Sequence, residues 1–232
     1  MFYNFKKYFN KKFPKKIIFF DVGANRGDWS VNIRKKFKNS FLYCFEPIPK
    51  ITKKINNQII INKAIDITEN NKRNFYITRE FVTSSMLMQN RKIISKFKSF
   101  KDKKGKVHKK SDFDVIKKIT VETLRLDNFI KKYNIKNIHY LKIDAEGNDL
   151  QVLKSLGKSL PKVWAFELET WNEKKTLWKN QSWLGECKKF ILSNNFIIAE
   201  EFIHGKGRTT DLLCIRKDIF KKKLLKKHPC IS

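Results

Sequence analysis

Cysteine is scarce in this sequence: Cys44, Cys187, Cys214 and Cys230 are scattered over 232 residues without a paired spacing. That excludes a dense disulfide scaffold. With four histidines, it also leaves no clustered Cys/His set for a structural zinc. Long hydrophobic runs are missing as well. No apolar stretch approaches the roughly 18–20 residues that span a bilayer, so an integral membrane protein is not expected. Glycine and proline number 8 and 5, and no Pro/Gly/Ser-rich linker or internal repeat divides the chain. Residues 1–16 mix Phe and Tyr with Lys and lack the continuous apolar stretch of a secretory signal. These absences together point to a reduced, cytoplasmic protein.

Acidic residues are outnumbered, 22 against 52 Lys and Arg, for a net charge of +30. Such a charge invites a polyanion partner: nucleic acid, an anionic polysaccharide or a lipid surface. The chain is also heavy in Lys, Asn, Ile and Phe together, as AT-rich codon usage would make it. Arginine, the residue of bidentate phosphate and base contacts, is sparse. The composition therefore favours lysine as a default surface residue. A hydrophobic share of 41% supplies a core and excludes general disorder.

What is present reads as alternating strands and helices. Ile17–Val22 is an apolar run ending in an acid, the pattern of a buried parallel strand. After Gly23 and Gly27, residues 28–38 carry Trp29, Ile33 and Phe37 at helical spacing. A strand over 41–45, a helix over 48–56 and a strand over 59–61 follow. This order predicts a doubly wound α/β sheet. Strands over 74–78, 119–123, 138–143, 163–168, 196–202 and 212–216 are expected to complete that one sheet. Helices are expected over 126–133, 149–156, 183–192 and, as a basic tail, 218–227. Residues 91–118 read as a Lys-rich solvated insertion with a helical piece near 93–97. One domain over 17–217 would then lie between a basic aromatic segment (1–16) and a basic tail (218–232). The 1–16 segment suits either packing on the sheet or contact with a membrane surface.

Three places carry chemistry. The first is the loop Asp21-Val22-Gly23-Ala24-Asn25-Arg26-Gly27 after the first strand, where doubly wound sheets bind ligands. Its glycine spacing is not that of a pyrophosphate loop, and Asp21 would repel a phosphate but welcome an ammonium. Glu46 ends the second strand about 20 residues on, where a carboxylate accepts ribose hydroxyls. A ribose, a cationic amino-acid end and no phosphate describe S-adenosylmethionine. The second place is Lys142-Ile143-Asp144-Ala145-Glu146-Gly147. Strand alternation puts Lys142 and Asp144 on one face, where Asp144 can take a proton from an attacking hydroxyl and Lys142 can hold it ionised or orient that oxygen. The third is Glu167 with Glu169, which could line an acceptor pocket or bind a divalent metal together with Asp144. For Lys142 and for these two glutamates, a plain ion pair is the competing reading.

The strings FFDVGANRGDWS, CFEPIP, NKA, TSSML, VETLRLDNFI, LKIDAEGNDLQVLKSL and FELE, in this order, resemble the FkbM family of S-adenosylmethionine-dependent methyltransferases. The resemblance implies a Rossmann-like seven-stranded sheet, mostly parallel with one reversed late strand, and helices on both faces. It implies O-methylation, typically of sugar hydroxyls in glycans or glycoconjugates. On the matching positions, Asp21, Gly23, Asn25 and Gly27, with Ala24 between them, would face the methionine end. Glu46 would take the ribose, and Ala64 would lie near the adenine. Asp144 and Glu146 would sit at the methyl-transfer edge, with Lys142 and Glu167 as further catalytic candidates. Ser84 and Ser85 match a turn of underived role. Arg26 and the 91–118 insertion depart from the family pattern and bear on the acceptor, which is expected to be a glycan and could be anionic. An RNA ribose methyltransferase and a non-catalytic binding module are the alternatives. No Lys-Asp-Lys-Glu tetrad supports the first, and the glycine loop with Glu46 speaks against the second.

Overall fold

The computed structural model describes residues 4–96, 99–101 and 107–221. In chain order its strands are β1 (Ile17–Val22), β2 (Ser40–Phe45), β3 (Gln58–Ile61), β4 (Ala64–Ile65), β5 (Lys72–Thr78), β6 (Phe100–Lys101), β7 (Val107–His108), β8 (Val115–Leu124), β9 (Tyr140–Ile143), β10 (Ala165–Trp171), β11 (Phe196–His204) and β12 (Thr209–Arg216). Its α-helices are α1 (Asp28–Lys36), α2 (Arg91–Ile94), α3 (Leu126–Lys132), α4 (Asp149–Lys154) and α5 (Leu184–Ser193).

Seven strands form the central sheet, in the order β11-β12-β10-β9-β1-β2-β3. The five from β10 to β3 run parallel, and β12 runs against both of its neighbours. The expected reversed late strand is thus β12. Alternation along the strands sends Phe20, Leu141, Phe166 and Cys214 to one face, covered by α3, α4 and α5. Phe19, Leu42, Tyr140 and Leu213 go to the other, covered by Trp29 and Ile33 of α1. Burial on both faces is why the central strands read as continuous apolar runs.

The described part of the 1–16 segment belongs to that second core. Phe5, Tyr8 and Phe9 are buried, and Phe5 packs its ring 4.3 Å from that of Tyr140. Of the two readings of this segment, packing on the sheet is the one its buried rings follow. At the other end, a 3-10 turn at Lys217–Ile219 leads into Phe220, which bridges to Phe9. The rest of the expected 218–227 helix, like Cys230, lies outside the described residues. Cys44, Cys187 and Cys214 are free and buried.

Three expectations are corrected. Residues 48–56 form no helix. Pro49 disfavours a helical Ile48, Lys50 takes φ 64°, and the segment instead hydrogen-bonds to the loop after β1. Strands β5 and β8 do not join the central sheet. They pair antiparallel, with β4 alongside β8, as a separate three-stranded sheet. Their one-sided burial builds a small core of Ala64, Phe75, Ile77, Met86 and Val121, whereas a central position needs both faces apolar. Residues 91–118 are not simply a solvated loop. The helical piece is α2, ending at Ile94, and Ile94 and Phe113 are buried against Trp171, Leu177 and Trp178.

Candidate active site

The loop after β1 is fastened on all sides. Gly23 and Ala24 donate their N–H groups to the carbonyl of Phe45 at the tip of β2. Asn25, at φ 47°, donates its N–H to Glu46 Oε2 (2.8 Å), and its carbonyl accepts from Thr52 Oγ1 (2.6 Å). Ile48 N–H donates to Glu46 Oε1 (3.0 Å). Glu46 is therefore a buried carboxylate gripped by two backbone donors. Burial pushes its pKa up, and those donors pull against the shift. Gly23, at φ 73°, approaches the Asp144 carbonyl so closely that an added Cβ would lie 1.8 Å from its oxygen. This glycine thus serves contact between the tips of β1 and β9.

Register places Asp21, Lys142 and Glu167 side by side on β1, β9 and β10. Lys142 Nζ lies 3.4 Å from Asp21 Oδ1, 3.1 Å from Asp144 Oδ2 and 3.3 Å from the Gly23 carbonyl. Burial alone would lower the Lys142 pKa; Asp144 and Asp21 outweigh it and raise it above the ordinary value, so the ammonium stays charged. Asp21 is fully buried and accepts from Ser30 Oγ (2.6 Å). Glu167 accepts from Tyr140 OH (2.8 Å), a phenol whose pKa is raised by burial and by that carboxylate.

The turn after β9 is held from within and from above. Asp149 accepts from the N–H groups of Ala145 (3.0 Å) and Gly147 (2.9 Å), and burial pushes its carboxyl up to about 6. Ser85 Oγ donates to the Glu146 carbonyl (2.7 Å), and Asn148 Nδ2 to that of Ile65 (3.1 Å). These two bonds tie the small sheet and its following turn to the turn after β9. Burial, with Asp144 and Glu169 nearby, raises the Glu146 pKa well above the ordinary value and favours its protonated form.

Between the sheet edge and the small sheet lies a cavity of about 500 Å³. It brings together Gly23, Ala24, Asn25, Glu46, Ala64, Lys142, Asp144 and Glu146, all singled out from the sequence. Asp21 and Gly27, also singled out, are not among the residues that line it. Glu167 lines a smaller cavity of about 160 Å³ beside it, with Lys142, Asp144, Glu169 and Asp211. Sequence reasoning missed the apolar roof, Phe75, Phe81 and Met86, and the turn-holding Asp149. The TSSML string was the visible signal for the roof, but only the bond from Ser85 to Glu146 shows what that turn does. Glu169 groups with His204 and Asp211, not with Asp144, as a set whose donor atoms lie within 4.8 Å of one another.

A family model described as the methyltransferase FkbM domain matches residues 21–199. Among solved structures, methyltransferase FkbM from Methylobacillus flagellatus KT aligns with a TM-score of 0.50 at 12% identity. That alignment covers 88% of this chain and 45% of the other, so the chain spans less than half of that protein's length. A protein described as a ribosomal RNA methyltransferase from Plasmodium falciparum aligns with a TM-score of 0.45 at 14% identity, over 86% of each chain. TrmK from M. capricolum, in complex with S-adenosyl-homocysteine, aligns with a TM-score of 0.41 at 14% identity, over 91% of this chain and 68% of its own. No curated protein matches the chain.

Proposed function

Because the chain belongs to the methyltransferase FkbM family, we propose that it transfers the methyl group of S-adenosylmethionine to a hydroxyl of a glycan or glycoconjugate. The observation that carries the reading is Glu46. Each of its oxygens accepts one backbone N–H, which leaves lone pairs for the two hydroxyls of a ribose. It lines a cavity of about 500 Å³, within the usual size of a ligand pocket, that runs on to Lys142 and Asp144. Gly23, Ala24 and Asn25 would border the amino-acid end and Ala64 the adenine. Asp21 would act from behind, through Lys142.

The cofactor, when bound, supplies a methyl group already activated on a sulfonium. The protein has to set an oxygen in line with it and take up the hydroxyl proton. We assign the proton to Asp144, whose side chain is 42% exposed while that of Asp21 is fully buried. Lys142, kept charged, fixes that carboxylate and is no base itself. Glu146, favoured in its protonated form, donates a hydrogen bond toward the acceptor oxygen. The cavity lining carries cations (Arg26, Lys63, Lys142) as well as acids (Glu80, Asp144, Glu169), so its charge admits neutral and anionic acceptors alike.

The test incubates the protein and labelled cofactor with capsule extract, lipopolysaccharide and RNA. Label in polysaccharide is expected; label in RNA alone would overturn the acceptor class. Asp144→Asn should keep cofactor affinity by calorimetry and lose roughly 10²–10⁴-fold in turnover. Undiminished turnover would remove Asp144 from the base role.

A further inference from the structure

Parallel strands all enter the central sheet at one edge and leave it at the other, so its two edges are unlike. Glu46, Asp144, Glu146 and Glu169 border the cavity at the exit edge. The entry edge carries the opposite charge. Its segments are 9–16 before β1, 35–39 before β2, 131–139 before β9 and 158–164 before β10. Together they hold twelve lysines and no Asp or Glu, in a chain with 22 acids against 52 cations. Backbone bonds set them side by side. Ile17 N–H donates to the Asn39 carbonyl (3.2 Å), Ile138 N–H to that of Lys162 (2.9 Å) and Asn10 N–H to that of Ile219 (2.9 Å). Lysines in the last turns of α1 and α3 suit the negative ends of those helices, but Lys15, Lys16, Lys38 and Lys136 belong to no helix. The first two segments enclose a recess of about 370 Å³. Lys6, Lys15, Lys35, Lys36 and Lys38 stand around it with Phe13, and no acid among the described residues lines it. Lys6 Nζ lies 4.4 Å from the ring centroid of Phe37 and 5.0 Å from that of Phe13. Burial and the Lys36 ammonium lower the Lys6 pKa, as happens where cations crowd together.

We propose that this lysine edge docks on the surface of an anionic phospholipid bilayer, with a headgroup phosphate in the recess. Ammonium groups around a partly apolar floor, with Tyr133 46% exposed and Trp164 half-buried further along, suit a charged lipid interface. Nucleic acid calls for free Arg and stacking rings, and the arginines of this edge are committed: Arg34 to the carbonyls of Lys38 and Ser40, Arg216 to Asp218. Lys221, the last described residue, is held at this edge by its N–H bond to the Tyr8 carbonyl (2.8 Å), and the sequence beyond it adds Lys222, Lys223, Lys226 and Lys227 and no acid. At roughly 3.3 Å per residue, the six residues of β1 set the two edges about 20 Å apart. A docked molecule therefore turns its acid-bordered cavity away from the lipid. The docking follows from the separation of charge and does not rest on the methyl-transfer reading.

The experiment sediments the full chain with vesicles of about 30% phosphatidylserine in phosphatidylcholine, and with pure phosphatidylcholine, at about 0.1 M salt. Binding to the anionic vesicles alone is expected, and it should weaken as salt rises. A lysine at such a surface is worth about fivefold in affinity, so Lys15→Ala/Lys38→Ala/Lys136→Ala together should lose roughly 100-fold. Lys72→Ala/Lys117→Ala/Lys118→Ala removes the same charge from exposed positions on β5 and β8 and should lose only about two- to threefold. Hydrogen exchange of the wild type should slow at 9–16, 35–39 and 131–139 when anionic vesicles are added, a readout that needs no variant. Equal losses in the two triple variants, no preference for phosphatidylserine, or protection confined to other segments overturns the proposal. So does an edge triple that weakens binding to single-stranded RNA more than binding to vesicles, which would give the edge to nucleic acid.

Discussion

Replacing Gly23 by Ala tests how tightly the two central strand tips are joined. Gly23 has φ 73°, and its new methyl group would lie 1.8 Å from the Asp144 carbonyl oxygen and 2.8 Å from the carbonyl carbon. Gly207 is the matched control: φ is 82°, but nothing lies within 4 Å of an added Cβ. Both substitutions incur the left-handed backbone cost of about 1–2 kcal/mol. Only Gly23→Ala adds overlap against backbone, which costs a further 1–3 kcal/mol or so in a packed interior. At roughly 2–4 °C per kcal/mol for a chain of this size, Gly23→Ala should lower Tm by about 5–15 °C and Gly207→Ala by only a few degrees. Thermal unfolding followed by circular dichroism measures both. Because the overlap pushes Asp144 outward, turnover should fall further than stability alone explains. Equal Tm losses for the two variants would refute the claim that the tips of β1 and β9 touch at this glycine.

Two other substitutions probe the site and its support. Glu46→Gln sets an amide NH₂ against the N–H of Asn25 or Ile48, so cofactor affinity by calorimetry should fall at least tenfold; unchanged affinity would dismiss the ribose assignment. His139 is buried, its pKa lowered to about 4, and its Nδ1 accepts from Ile18 N–H (2.9 Å). The unfolded chain then binds a proton that the folded one refuses between about pH 6.5 and 4, so this residue removes stability as pH falls through that window. Asp149, pushed up to about 6, acts oppositely, since its protonation on acidification relieves a buried charge. The measurement is therefore a difference. Urea unfolding of wild type and His139→Gln should converge by about 2 kcal/mol between pH 7 and pH 5, and parallel curves would exclude His139 as the titrating group.

How much of this was legible in the sequence follows from what each segment has to bury. Strands β1, β2, β9 and β10 are enclosed on both faces, so Phe19-Phe20 or Leu141-Lys142-Ile143 announce themselves as short apolar runs. The acids that end them, Asp21, Glu46 and Asp144, stand out because each interrupts such a run at the edge where ligands bind. The misread segments lack that constraint. Residues 48–56 hold enough Ile and Lys to suggest a helix, but their conformation is set by bonds to Asn25 and Arg26, far away in sequence. Strands β5 and β8 bury one face only, and alternation alone does not say which sheet receives it. The roof, including Phe75 and Met86, is apolar in an ordinary way until the chain brings it over Glu46. Asp149 resembled any first-turn acid of a helix; its grip on Ala145 and Gly147 depends on a turn that places Glu146 at φ 47°.

The N-terminal aromatic segment has a role beyond filling space. Phe5 lies against Tyr140, whose hydroxyl holds Glu167 in the row that reaches Lys142 and Asp144. The 3-10 turn at Phe5–Tyr8 is thus a buttress behind the candidate site. Trimming it to improve handling would let water reach Tyr140 and slacken the carboxylates from the rear, with every residue that borders the cavity still in its place.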